Sequence, residues 1–157
     1  MYAATEPAGL SEFLDMQREA LIEKLQGVSD DDARRAPTVS SLSLLSLVKH
    51  SAVWERRWFQ VVVAGRRFAG EWPDAHPRDE NGFRLADDDT VETVVAYYRE
   101  QIAASQEILR TVDLDARCAR PEMAGNLRWV AIHMIEETAR HAGHADIIRE
   151  TIDSSPT

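Results

Sequence analysis

Four ionisable side chains near the C-terminus, His133, Glu137, His141 and His144, are separated by four, four and three residues. At about 100° per residue, the last three fall within roughly 80° of His133 on one helical face. Imidazoles and a carboxylate so placed are metal-ligand chemistry, because residues at i and i+4 lie about 5–6 Å apart and can clamp one ion. Trp129, Val130, Ile147 and Ile148 fall in the same sector, so the stripe is expected to face the core. Burying such groups is costly unless they are paired or bound to a metal. A further histidine, His50, sits amid another apolar run, with Trp54, Trp58 and Val61 within roughly 80° of it.

If the two runs face each other, His50 joins Glu137 and His141 in a set of two imidazoles and one carboxylate. Catalytic zinc and non-haem iron both use that set, with open positions for water or substrate. A structural zinc site would prefer four closed ligands, often thiolates, and the chain has one cysteine. His144 can replace either partner, and His133 can hold a ligand's orientation. The plainer alternative is a hydrogen-bonded polar core, since lone core histidines and Glu-x-x-x-His pairs are common. Only their coincidence on apolar sectors brings the metal reading level with it. His76, beside prolines, reads as solvated, and Cys118 as incidental. His-Glu-x-x-His and a Gly-rich phosphate loop are both missing from the sequence. A single ligand set favours one metal over a di-iron carboxylate centre.

The elements that must position these residues are helices. Ser11 to about Leu25 is expected as the first, with Leu14, Met16, Leu21, Ile22 and Leu25 as its apolar stripe and Gly27 as its stop. Residues 28–41 suit a turn or a single helical turn, broken at Pro37. The second helix runs from Ser41 to about Val63 and carries His50. The third runs from Thr90 to about Val112 on Val91, Val94, Val95, Tyr98, Ile102, Ile108 and Leu109. The fourth starts at the N-cap Asn126 and continues to Asp153 without a proline. Residues 66–89 form a long connection whose Phe68, Trp72 and Phe83 suggest a lid or collar, or a crossover between two helices that run the same way. Together these elements predict an all-α four-helix bundle.

Composition bounds the partners. The chain has 157 residues, 44% of them apolar, which suits one domain with a sizeable core. Its formal charge of −9 argues against nucleic acid and anionic membrane, both of which need a basic footprint. The longest uncharged apolar run, 61–64, is far too short to span a bilayer. A single cysteine and an N-terminus without a basic-then-apolar leader point to a reducing cytoplasm.

Two stretches, Leu47-Val-Lys-His-Ser-Ala-Val-Trp-Glu-Arg-Arg-Trp-Phe59 and His133-Met-Ile-Glu-Glu-Thr-Ala-Arg-His-Ala-Gly-His-Ala-Asp-Ile-Ile-Arg149, resemble the signatures of the DinB-like superfamily. The match is nearest to its branch of small, uncharacterised actinobacterial proteins, and it spans nearly the whole chain. The resemblance implies one DinB-like four-helix-bundle domain over residues 1–157, often dimeric, with a divalent metal held by three residues. Many members carry His-x-x-x-His followed by a glycine. Here Glu137 takes the first place and His141 the second, with Gly143 following and His50 as the remaining ligand. Glutamate in the first place departs from the commonest pattern and is similar to the two-His, one-Glu zinc site of mycothiol-dependent maleylpyruvate isomerase.

Relatives use a low-molecular-weight thiol for S-transfer or isomerisation. The resemblance therefore implies a metal-dependent thiol S-transferase acting on small electrophiles. Its metal would be zinc first, with nickel, iron or manganese also fitting, and the protein would be a homodimer. Arg57, with Trp54, is a candidate contact for an anionic thiol or substrate. Two competing readings are a metal hydrolase using Glu136 or His144 as proton shuttle, and a non-enzymatic metal-binding stress protein.

Overall fold

The computed structural model describes residues 5–69 and 83–154; His76 and Trp72, read above as solvated and as part of a collar, lie outside them. Helix α1 spans Glu6–Glu23, α2 Asp30–Arg34, α3 Leu44–Glu55, α4 Val91–Thr111 and α5 Leu127–Asp153. Helix α3 continues without a break into a π-helical segment, Arg56–Val63. The long helices start at side-chain caps. Asn126 accepts from the Trp129 amide at 3.0 Å, and Ser43 with Ser46 and Thr90 with Thr93 form reciprocal capping boxes.

Two starts differ from the sequence expectation. Helix α1 begins under Thr5 rather than at Ser11, because Pro7 is accommodated in the first turn, where no amide partner is needed. Helix α3 begins at Leu44 rather than Ser41, since the box that Ser43 makes with Ser46 is the cap actually formed. Gly27 and Gly65 both take positive φ, +70° and +71°, just after their helices, where a side chain would be strained.

Cross-helix bonds fix the directions. Arg128 reaches Glu6 at 2.8 Å and Lys24 reaches Asp146 at 2.5 Å, so α1 and α5 run parallel. Arg99 meets Glu19 at 3.0 Å and Gln106 meets Asp15 at 3.1 Å, so α4 runs against α1. Lys49 meets Asp89, just before α4, and Gln60 bonds Gln101, so α3 and α4 run the same way. Two parallel neighbours need a long crossover, and residues 64–90 supply it. The bundle is therefore up-down-down-up.

Apolar residues form two clusters. One contains Leu21, Leu45, Val48, Tyr98, Ala145 and Ile148, and the other Leu14, Phe59, Val62, Leu127, Val130 and Met134. Burying each large aliphatic side chain contributes about 1.5–3 kcal/mol. Between the clusters lies an ion pair that the sequence did not announce. Arg18 bonds both carboxylate oxygens of Glu55 and, at 2.6 Å, Asp15, with Arg18 and Glu55 fully buried.

Three residues placed on the core side by helical arithmetic are exposed: Met16 at 57%, Trp129 at 48% and Ile147 at 60%. The buried stripes of α1 and α5 are narrower than the sectors drawn for them, because each helix packs with its long axis against only part of its apolar arc. The 113–125 connection closes the bundle through an Arg117–Asn126 bridge and amides of Ala119 and Arg120 on the carbonyls of Val63 and Val62. Cys118 is buried in it, and burial pushes its thiol up, away from nucleophilic reactivity. Among the described residues, no helix is long and apolar enough to cross a membrane.

Candidate metal centre

Antiparallel packing of α3 on α5 sets the site. His50 projects from the middle of α3, with its ring centroid 4.7 Å from that of His141 on α5 and the planes at 82°. One turn before His141, Glu137 approaches it, Oε2 to Nε2, at 3.5 Å. One ligand atom from each of His50, Glu137 and His141 lies within 4.8 Å of the other two. His50 and His141 are buried and Glu137 is half-buried.

The electrostatics suit a cation. Glu137 Oε2 and both ring nitrogens of His141 are buried and lack a hydrogen-bond partner among the described residues. Leaving one such group unsatisfied costs about 1–3 kcal/mol, so three at one point need an explanation. Burial pushes the His141 pKa down, against the smaller upward pull of Glu137, and this favours the neutral imidazole that a metal requires. Arg140 lies between two carboxylates, bonded to Glu136 and 3.9 Å from Glu137. It leaves Glu137 directed at His141. Two imidazoles and a carboxylate at this spacing fit one divalent ion, with positions left open.

The other candidate residues fall around this trio. His144 is exposed, its ring 5.7 Å from that of His141, and is outside the group of mutually close ligand atoms. His133, a turn before Glu137, stacks on Trp129 at 5.0 Å and 17° and meets the edge of Trp58 at 4.6 Å. Trp54 packs on His50 at 4.5 Å, and the Arg57 guanidinium lies 4.3 Å over the Trp54 ring. Glu136 is engaged by Arg140 on the surface.

Sequence reading named Phe83 only as part of a collar. The structure stacks it on His50, centroids 3.9 Å apart and planes within 9°. No periodic signal could have given that pairing, since Phe83 belongs to the crossover. Ser51, adjacent to His50, was missed too; its hydroxyl is buried and lacks a partner among the described residues.

Residues 9–154 match the mycothiol S-transferase family. The chain belongs to that family. The match bears out the DinB-like resemblance. No curated protein matches the chain. A conserved protein from Enterococcus faecalis has a similar crystal structure, with a TM-score of 0.68 at 16% identity over 98% of this chain and 100% of that one. At that identity the likeness concerns the fold, and it agrees with an all-α DinB-like bundle. Within this mycothiol S-transferase family member, the ends of the trio's seam are lined by Trp54 with Phe83 and by Trp58 with Trp129.

Proposed function

We propose that this protein is a metal-dependent S-transferase that joins a mycothiol-type thiol to a small electrophile. His50, Glu137 and His141 would hold one divalent ion, zinc before nickel, iron or manganese. The observation that carries the reading is the set of three buried ligand atoms on Glu137 and His141 that lack a hydrogen-bond partner among the described residues, beside the His50 ring. A divalent ion bound there lowers a thiol's pKa, so that thiolate is available at neutral pH.

The chain's own residues do the rest. His50 and His141 come from different helices and fix the approach of the thiol sulfur to the seam. Phe83 and Trp54 flank His50 and exclude water from that side. Arg57 over Trp54 places positive charge beside the ring that packs on His50, where it attracts an anionic group on thiol or electrophile. In the reaction the thiol proton leaves to solvent and a carbon–sulfur bond forms. The electrophile's bond to its leaving group breaks, and the electron pair departs with that group. A homodimer in the cytoplasm completes the proposal.

The test is thiol-dependent turnover of monochlorobimane by metal-loaded protein. The proposal expects conjugation that needs mycothiol and falls at least a hundredfold in Glu137→Ala. Metal-loaded protein that gives no rate above the uncatalysed reaction, with mycothiol, bacillithiol or glutathione, would overturn it.

A further inference from the structure

Along the seam from the trio toward the start of α5, three aromatic rings close on one another. Trp58 of the π-helical segment lies 5.5 Å from Trp129, and His133 stacks on Trp129 while meeting Trp58 edge-on. Trp58 is buried, yet its indole Nε1 has no hydrogen-bond partner among the described residues, and neither has the buried Nε2 of His133. A tryptophan N–H can only donate, so it calls for an acceptor that the described residues do not provide. Trp129, by contrast, is 48% exposed although it is a large apolar ring. His133 covers it at 17°, and the remaining indole surface is open. The adjacent charge, Arg128, is already engaged by Glu6 and Asp115.

We infer that Trp58, His133 and Trp129 form the electrophile subsite and take a planar, uncharged, conjugated ring bearing a carbonyl. The ring would stack on Trp129, the arrangement that aromatic quadrupoles favour. The carbonyl would accept from Trp58 Nε1, which removes the unsatisfied donor. Trp129 lies eight residues, about 12 Å along α5, before Glu137, so a ring held there lies on the same seam as the trio, with His133 between them. This assignment rests on the S-transferase reading for its role, but the binding stands on the aromatic geometry alone.

The test is equilibrium dialysis of an unreactive bimane, carrying hydrogen in place of the chlorine, against full-length protein. Wild type, Trp129→Ala, Trp129→Phe and the exposed control Ile132→Ala are compared, each checked for folding by circular dichroism. The expected result is saturable binding, weakened at least tenfold in Trp129→Ala, largely restored in Trp129→Phe and unchanged in Ile132→Ala. Trp58→Phe, which keeps a ring and removes the N–H, is expected to weaken binding about fivefold. If wild type does not retain the dye, or if Trp129→Ala binds it as well as wild type, the assignment is overturned. Dye binding that follows this pattern in a protein without thiol-dependent turnover would uphold the subsite and remove the S-transferase reading.

Discussion

The rings of His50 and His141 meet edge to face, 4.7 Å apart, across the antiparallel seam of α3 and α5. Neither helix holds the site alone: α5 brings Glu137 and His141 at i and i+4, and α3 brings His50 only when the bundle is assembled. The site therefore reports on packing as well as on chemistry, and its neighbours on both helices should be felt in metal affinity.

Phe83 is the first such neighbour, stacked on His50 from the crossover. Groups that orient a ligand typically matter by 10–100-fold in metal affinity. Phe83→Ala is expected to fold normally, because the ring is half-buried, and to bind metal about tenfold more weakly in competition with a chromophoric chelator. Unchanged affinity would mean that the ring only shields His50.

The pair of Arg18 and Glu55 is sealed between the two apolar clusters. Removing one partner of a buried ion pair costs about 3–5 kcal/mol, whereas replacing both by apolar groups is often neutral. Arg18→Met should lower the urea midpoint strongly, and Arg18→Met with Glu55→Leu should recover most of the loss. A double variant as unstable as the single one would show that the pair does more than neutralise itself.

Tyr98 sits fully buried near that pair. Burial, and then the charge of Glu55, push its phenol well above the ordinary value. The folded state thus keeps a proton that the unfolded chain releases near pH 10. That contribution is intact below pH 10 and is lost as pH rises beyond it. Between pH 8 and 11, wild type should lose more thermal stability than Tyr98→Phe, measured by circular dichroism melting; parallel losses would contradict this.

Much of this was legible because caps and period are local. Asn126, Thr90 and the Leu44–Val48 run state their helices in a few residues each, and His50, Glu137 and His141 were named from spacing together with family resemblance. Other features depend on partners distant in sequence. Arg18 reads as a surface residue until Glu55 is brought to it. Phe83 has no period to betray it. The π-helical turn at Arg56–Val63, where Ala64 bonds back to Phe59 and Arg66 to Gln60, leaves the apolar run nearly unchanged while shifting its register. Trp129 and Ile147 show the limit of helical arithmetic, which gives a sector but not the edge of the neighbour that covers it.

The central claim is that His50, Glu137 and His141 bind one metal ion. The direct measurement is elemental analysis of protein purified without chelator or histidine tag, beside His50→Ala, Glu137→Ala and His141→Ala. The account predicts about one divalent ion per chain in wild type and loss of it in each folded variant. Wild type that binds no metal, even after zinc, nickel or iron is added, would contradict it and leave the trio as a polar core.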